Sequence, residues 1–481
     1  LNWASGIELA VRLISVALCL SMIGVARLDE GTRQAALQFF FAHVYWIKRF
    51  PSLHSSANNH RIAELAGLIV GTTMAPGIPH ADVVREESWR DLLFEIDRQI
   101  YPDGVGAEHA PHYTAFAIEL FLVAAAFRGK QDLPAATVNR LAAWAEHSLW
   151  LMDTDSKVPA IGDWDDSRVV ATSQAHEPRY VASIVSAVAG CVGRPDLASP
   201  ARDPSIRDEL LRSAGVSSMQ RAGLRSFPTG GYSVIRGKGK APAVLTFDHG
   251  PVGYLSIAAH GHADTLAVWL SIGDQPVFVD AGTYLYHSSR ALRDAFRSTA
   301  VHNTLTLGGF ASSRPSGPFN WATKANARCL GVDYGPIARV VAEHDGYVSR
   351  FGLRHRRTVE FDGASRIAIT DELLGASHCR EVTVSFLLDP ECEATFERDG
   401  SVRIAVNGHP LARLASAGPL KAGIIRGDAD SNLGWVAPSF GVRVPANQIL
   451  FKGTLEKPSI ITVNLISRAR APRRPLRVAM A

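Results

Sequence analysis

Cysteine is scarce in this chain. Five occur in 481 residues (Cys19, Cys191, Cys329, Cys379 and Cys392), far apart and with no Cys-x-x-Cys spacing. That excludes a zinc ribbon and a thioredoxin-like motif. One disulfide is possible, so the redox compartment stays open. Long apolar runs are also missing. Leu13–Ala26 has 14 residues, short of the ~20 that span a bilayer. It reads as a buried helix, and no membrane span is expected. No strongly cationic region precedes it and Leu1 is not Met, so any signal peptide would lie outside this sequence. Neither sign of charge dominates: 50 Lys and Arg against 46 Asp and Glu give +4. No dense basic run is interleaved with aromatics, so nucleic acid is not an expected partner. The mild basicity suits attraction of an acidic polymer. No exact repeat is visible, which argues against a regular solenoid.

What is present fits a soluble globular protein, with 47% apolar and 20% charged residues. The length exceeds one typical core, so two or three domains are expected. Up to about residue 215 apolar residues recur at helical spacing, as in Ile7–Ala26, Gln34–Phe50, Ser88–Ile100, Ala115–Phe127, Val138–Met152 and Val181–Val192. Gly and Pro punctuate residues 213–230, and the period then switches to two. Strand text follows, including Ala243–Phe247, Leu266–Ile272, Val382–Leu388 and Ile460–Ile466. Strands without long helices between them predict stacked antiparallel sheets. The expected division is 1–215 helical, 216–390 β-sandwich, and 391–481 further strands of the same or a smaller sheet.

Four stretches carry chemistry. The richest is Ala259-His260-Gly261-His262-Ala263-Asp264, followed by Asp280 and His302. On a strand His260 and His262 would share a face. Neighbouring strands could bring His262, Asp280 and His302 together. Two imidazoles and a carboxylate suit zinc, or another divalent metal, with a fourth position left over. His260 would stay free beside it. The others are Asn58-Asn59-His60-Arg61-Ile62-Ala63-Glu64, Asp103-Gly104-Val105-Gly106-Ala107-Glu108-His109-Ala110-Pro111-His112-Tyr113, and Gly162-Asp163-Trp164-Asp165-Asp166. Asn58 can cap a helix, Glu64 reads as a helix-face residue, and the Gly-Asp cluster could bind sugar hydroxyls or a cation but reads at least as well as a solvated turn.

Taken in this order, the four stretches resemble the heparinase II/III-like polysaccharide lyases, a family that includes heparan sulfate and oligoalginate lyases. The resemblance covers roughly residues 1–390. It implies an α+β multidomain fold, an incomplete (α/α) toroid followed by an antiparallel β-sandwich, with structural zinc common. It implies β-elimination from a uronic-acid glycan, with an acidic polysaccharide or oligosaccharide as substrate. Asn59 and His60 would neutralise the substrate carboxylate and Tyr113 would move the proton. His260 is the alternative base, since an imidazole titrates near working pH. Glu108, His109, Trp164, Arg293 and Arg297 are candidate substrate contacts, the arginines by bidentate bonds to carboxylate or sulfate and Trp164 by stacking. Many relatives have Gln where His109 stands. Some use a second tyrosine; Tyr284 and Tyr286 are both near, and the sequence leaves that place open. The rival readings are a zinc-dependent glycan hydrolase and a non-catalytic carbohydrate-binding or exopolysaccharide-biosynthesis protein. A periplasmic or secreted location is expected, and subunit number is not legible.

Overall fold

The computed structural model describes residues 5–129, 133–172, 176–217, 221–239, 241–254, 256–377 and 380–466. The helical text becomes α1 (Gly6–Ile23), α2 (Glu30–Arg49), α3 (Asn59–Met74), α4 (Ala81–Gln99), α5 (Pro111–Arg128), α6 (Ala135–Leu151), α7 (Tyr180–Cys191) and α8 (Ile206–Leu211). Local chemistry sets their ends. Asp29 caps α2 through the Thr32 N–H, Asn58 caps α3 through the His60 N–H, and Pro111 opens α5. Helix α3 is the centre of the array and packs against α1, α2, α4 and α5. Gly67 and Gly71 make this possible. A Cβ on Gly67 would lie 2.8 Å from the Ala10 Cβ, and one on Gly71 2.7 Å from Val44 Cγ2. The helices form an incomplete (α/α) toroid around one apolar core.

One expectation about this half is corrected. The helix expected over Ile7–Ala26 is α1, but it is not a buried one: of its 18 residues only Ala10, Leu13, Ile14 and Ala17 are buried. By length and composition α1 could cross a membrane, a test that a mostly buried core helix and an N-terminal signal sequence also pass.

The second half is antiparallel throughout. Strands β1 (Gly223–Phe227), β2 (Tyr232–Arg236), β3 (Ala243–Asp248), β4 (Val268–Ile272) and β5 (Gln275–Phe278) form a five-stranded meander. After α9 (Arg290–Phe296) come β6 (Leu305–Leu307) and a hairpin of β7 (Arg314–Gly317) and β8 (Asn320–Thr323). Then follow β9 (Ala327–Asp333), β10 (Ala338–His344), the single turn α10 (Val348–Phe351), β11 (Arg354–Phe361), β12 (Arg366–Leu374) and β13 (Glu381–Leu387). The last strands are β14 (Glu393–Phe396), β15 (Val402–Val406), β16 (His409–Ala417), β17 (Lys421–Arg426), β18 (Trp435–Ser439), β19 (Val442–Pro445), β20 (Asn447–Thr454) and β21 (Ser459–Leu465).

An eight-stranded sheet runs β14-β15-β16-β21-β12-β11-β10-β9, and a four-stranded sheet runs β17-β20-β13-β6. The five- and four-stranded sheets meet at a bridge between Phe278 and Leu388. All three sheets share one apolar core, which makes the sandwich. Strands beyond residue 390 pair into the eight- and the four-stranded sheets, β21 beside β12 and β20 beside β13. Cys19, Cys191, Cys329 and Cys392 are free thiols, and Cys379 lies outside the described residues.

The two halves share a second apolar cluster, with Val105, Trp150 and Ile161 from the first and Phe227, Tyr232 and Trp269 from the second. Polar ties reinforce it. Asp103 Oδ2 accepts from the Thr229 and Gly230 N–H groups at 2.7 and 2.9 Å, and the Arg236 guanidinium donates to the Trp150 carbonyl at 3.0 Å. This seam holds the chemical stretches of both halves in one place.

Candidate active site

The AHGHAD stretch is a loop, not a strand. Gly261 is required by close approach, because a Cβ there would stand 1.6 Å from the Val252 carbonyl oxygen. His260 and His262 nevertheless converge, on one carboxylate from the helical half. Asp163 Oδ2 lies 3.2 Å from His260 Nδ1, and Oδ1 lies 3.1 Å from His262 Nε2. The Asp163 N–H also donates to the His260 carbonyl at 2.9 Å. Asp163 is fully buried, so the Gly-Asp turn is not solvated there. Burial alone would raise its pKa. The Arg293 guanidinium, then the bonds from the two histidines, hold it well below the usual carboxylate range.

That charge fixes the tautomers. His260 carries its proton on Nδ1 and turns the Nε2 lone pair the other way. There it meets Asn59 Nδ2 at 3.3 Å, and Glu108 Oε2 stands 3.6 Å off. Glu108 also accepts from Asn58 Nδ2 at 3.2 Å and from Asn59 Nδ2 at 3.0 and 3.1 Å. Asn59 Oδ1 is buried with no partner. The Tyr113 ring stacks on His260, centroids 3.7 Å apart at 19°. Its hydroxyl donates to Asp165 Oδ2 at 2.9 Å and lies 2.7 Å from the Tyr286 hydroxyl. Burial, then Tyr286 and Asp165, raise the Tyr113 pKa well above the ordinary phenol value, so Tyr113 holds its proton. His60 is mostly buried beside them and is lowered to about 4 by burial and then by His260; it is neutral at neutral pH.

A second cluster lies behind the first. His262 Nδ1 is 3.1 Å from His302 Nε2, and Asp280 carboxylate oxygens lie 3.6 Å from each of those nitrogens. All three side chains are buried. His262 gives its Nε2 proton to Asp163, and His302 gives its Nδ1 proton to the Ser298 carbonyl at 2.7 Å. Two lone pairs and a carboxylate therefore face one point with no proton between them. Such a set fits a divalent cation. With only a proton to share, burial lowers His262, but the bonds to Asp163 and Asp280 outweigh it and raise it to about 9.

The other candidate contacts sit differently from the expectation. Arg293 is buried and gripped by Asp163, Nη2 to Oδ2 at 2.6 Å. It is not a free cation for a carboxylate or sulfate. Arg297 is also buried, held by Asp294 and the Gly317 carbonyl at 2.9 Å each, over the Trp321 ring. Trp164 stacks on His112, 4.0 Å away at 16°, with the His176 ring tilted beside it at 5.3 Å, so at least one of its faces is already taken. His109 stacks on Tyr232 and contacts its hydroxyl at 3.3 Å, away from His260. Glu108 serves the two asparagines.

Sequence reasoning named Asp163, Asp165 and Tyr286 but gave none of them its place beside His260 and Tyr113. Three acids in four residues of a mostly apolar stretch were the available signal for the first two. Nothing local separates Tyr286 from Tyr284. The structure does, by placing Tyr286 between Phe319 and Phe440, each 5.0 Å away. His109, Asp166, Ala258 and Leu266 all have positive φ, a cluster of backbone strain of the kind found at functional sites.

Comparison with known proteins matches this architecture. The family model for the heparinase II/III-like C-terminal domain matches residues 219–464, and that for the heparinase II/III N-terminus matches residues 12–182. A heparin-sulfate lyase of Pedobacter heparinus is 24% identical over 276 residues, 53% of this chain and 36% of that protein. One from Bacteroides stercoris is 22% identical over 339 residues, 67% of this chain and 45% of that protein. The chain thus spans less than half the length of these relatives. A crystal structure of heparinase III superposes with a TM-score of 0.71 at 19% identity, covering 96% of this chain and 69% of the other. The heparan sulfate lyase HepC of Pedobacter heparinus gives 0.65 at 17%, covering 97% and 69%.

Proposed function

The chain belongs to the heparinase II/III-like family, and from that premise we propose that it is a polysaccharide lyase cleaving a uronic-acid-containing glycan by β-elimination. One observation carries the reading: the Tyr113 phenol and the His260 imidazole lie face to face within reach of the Asn59 amide. A weak carbon acid beside a carboxylate must lose a proton while the glycosidic oxygen gains one. His260 is the base, because Asp163 holds its other nitrogen. The proton moves from the carbon to Nε2 and the freed electron pair forms the new C=C bond. The bond to the glycosidic oxygen breaks, and that oxygen takes the proton of Tyr113. Tyr286, 2.7 Å from Tyr113, is placed to reload it. Asp163 and Glu108 flank the imidazolium that results. Asn59 and neutral His60 contribute hydrogen bonds to the substrate carboxylate rather than full charge, and the carboxylate competes there with Glu108.

We further propose that His262, Asp280 and His302 hold zinc. The ion would brace the loop from Asp280 to His302 and keep His262 on Asp163, and so hold His260 in line. The three ligands are sealed from solvent, at 0, 3 and 1% exposure. That suits a structural ion better than the attacking metal of a hydrolase. A polymeric substrate is met outside the cytoplasm, which supports a periplasmic or secreted location.

The test is ultraviolet absorbance of the unsaturated product across a panel of acidic polysaccharides, heparan sulfate and alginate included. Absorbance should rise with one of them, and Tyr113→Phe should lower kcat by ~10²–10⁴-fold. New reducing ends without absorbance would replace the lyase by a hydrolase. Saturable binding with neither product would leave a binding protein.

A further inference from the structure

Strand β11 departs from the pattern of its neighbours. Its alternation turns His355, Arg357, Val359 and Phe361 inward, so an imidazole and a guanidinium occupy two core positions. Replacing a buried ion pair by apolar residues is often neutral or stabilising, so stability is a weak account of them. A chain of hydrogen bonds runs through these residues. The Gly346 N–H donates to His344 Nδ1 at 3.0 Å, so His344 carries its proton on Nε2 and donates to His355 Nδ1 at 3.2 Å. His355 Nε2 donates to Asp371 Oδ1 at 2.6 Å. Arg357 grips the same carboxylate with Nε at 2.8 Å and Nη2 at 3.0 Å. The elimination chemistry uses none of these groups.

The remaining nitrogen of Arg357 shows where the chain leads. Nη1 donates to the carbonyls of Leu266 and Asn303, each at 2.8 Å. Leu266 follows His262 by four residues and has φ +63°, a left-handed conformation that leucine seldom adopts. Asn303 is the residue after His302. The Asn303 side chain donates to the Val279 carbonyl at 2.9 Å, next to Asp280, and accepts from the Leu387 N–H at 2.7 Å. Arg357 and Asn303 together tie down all three segments that carry the His262–Asp280–His302 cluster.

We propose that the Asp371–Arg357 pair, backed by His355 and His344, is a positioning device that sets the separation of the His262 and His302 segments and thereby the affinity of the cluster for a divalent cation. The inference rests on the zinc reading above. Arg357 acts through backbone carbonyls and touches neither ligand side chain.

The experiment is a competitive zinc titration of the full chain against a chromophoric chelator, with thermal melting in parallel. Arg357→Met combined with Asp371→Leu removes the clamp without leaving a lone buried charge. It should fold, and its Kd for zinc should rise ~10–100-fold. The matching control is Arg207→Met with Glu119→Leu, which removes the buried pair of the helical half (2.6 Å); its Kd should match that of the unaltered chain. If the clamp variant fails to fold, Arg357→Lys is read instead. It keeps the charge, loses the fork, and should weaken zinc in the same direction. A Kd within twofold of the unaltered chain in folded clamp variants, or an equal rise in the control, overturns the inference. An unaltered chain that takes up no zinc removes the metal reading and this inference with it, while the lyase reading stands or falls on the absorbance assay.

Discussion

The interior of the helical half and the seam around Asp163 treat buried histidines in opposite ways. In the helical half, His60, His109, His112 and His147 have no carboxylate in hydrogen-bond reach among the described residues. Burial is the main cause that pushes them down, to about 4, 4, 3 and 3. At the seam, His260 and His262 bond Asp163, and His262 and His302 face Asp280. There His262 goes up, to about 9, despite complete burial. Residue type and burial are alike in the two places; the carboxylates of Asp163 and Asp280 together outweigh the burial of His262, whereas His355, whose carboxylate Asp371 is shared with Arg357, stays lowered. The deciding carboxylate, Asp163, comes from the helical half. The chemistry therefore belongs to the seam.

The strongest way to break this contrast is to neutralise Asp163. Asp163→Asn takes the charge from both histidines and from Arg293. Turnover should fall by at least ~10³-fold, and stability by roughly 3–5 kcal/mol as Arg293 is left unpaired. Steady-state rates and denaturant unfolding report the two effects; turnover within tenfold of the unaltered chain would remove Asp163 from the centre of the site. Next in size, His302→Ala should bring the zinc content measured by elemental analysis toward zero and lower kcat by ~10–100-fold, less than loss of Tyr113.

A smaller effect sharpens the helical side. His60 folds with a pKa of about 4 against ~6.5 unfolded, so between those values the unfolded chain binds more protons. Its contribution to stability is present above pH ~6.5 and is lost as pH falls toward 4. His60→Gln should flatten the stability profile in that window by up to ~3 kcal/mol, and should leave substrate affinity no more pH-dependent above 6.5. A profile of unchanged slope would mean that His60 titrates normally. The smallest effect is expected at His147, whose Nε2 is buried without a partner. His147→Phe should change stability by less than ~1.5 kcal/mol and leave turnover unaltered.

Much of the architecture was legible in the chain itself. The change of period near residue 215 marks the passage from helices to strands, and Asn58 and Pro111 announce the helices that carry Asn59 and Tyr113. His262, Asp280 and His302 were readable as a set because two imidazoles and a carboxylate are unusual in apolar text. The burial of α1 was misread, since its apolar text reads as core while only four of its 18 residues are buried. Arg293 and Arg297 look like solvent-facing cations in sequence, and only their burial shows otherwise. Arg357 and His355 hide in an alternating strand whose polar positions read as outward.

What the amino-acid sequence determined alone is local: the helix and strand periods, the caps, the glycine that lets two histidines stand close, and the kinds of acid, base and ligand available. Only the tertiary structure decided which imidazole is the base and which are ligands, and which tyrosine stands beside Tyr113. Asp163 reaches His260 across 97 residues, and Tyr286 reaches Tyr113 across 173. The physical reason is that proton affinity and hydrogen-bond geometry depend on distance and burial in space, and neither can be measured along a chain.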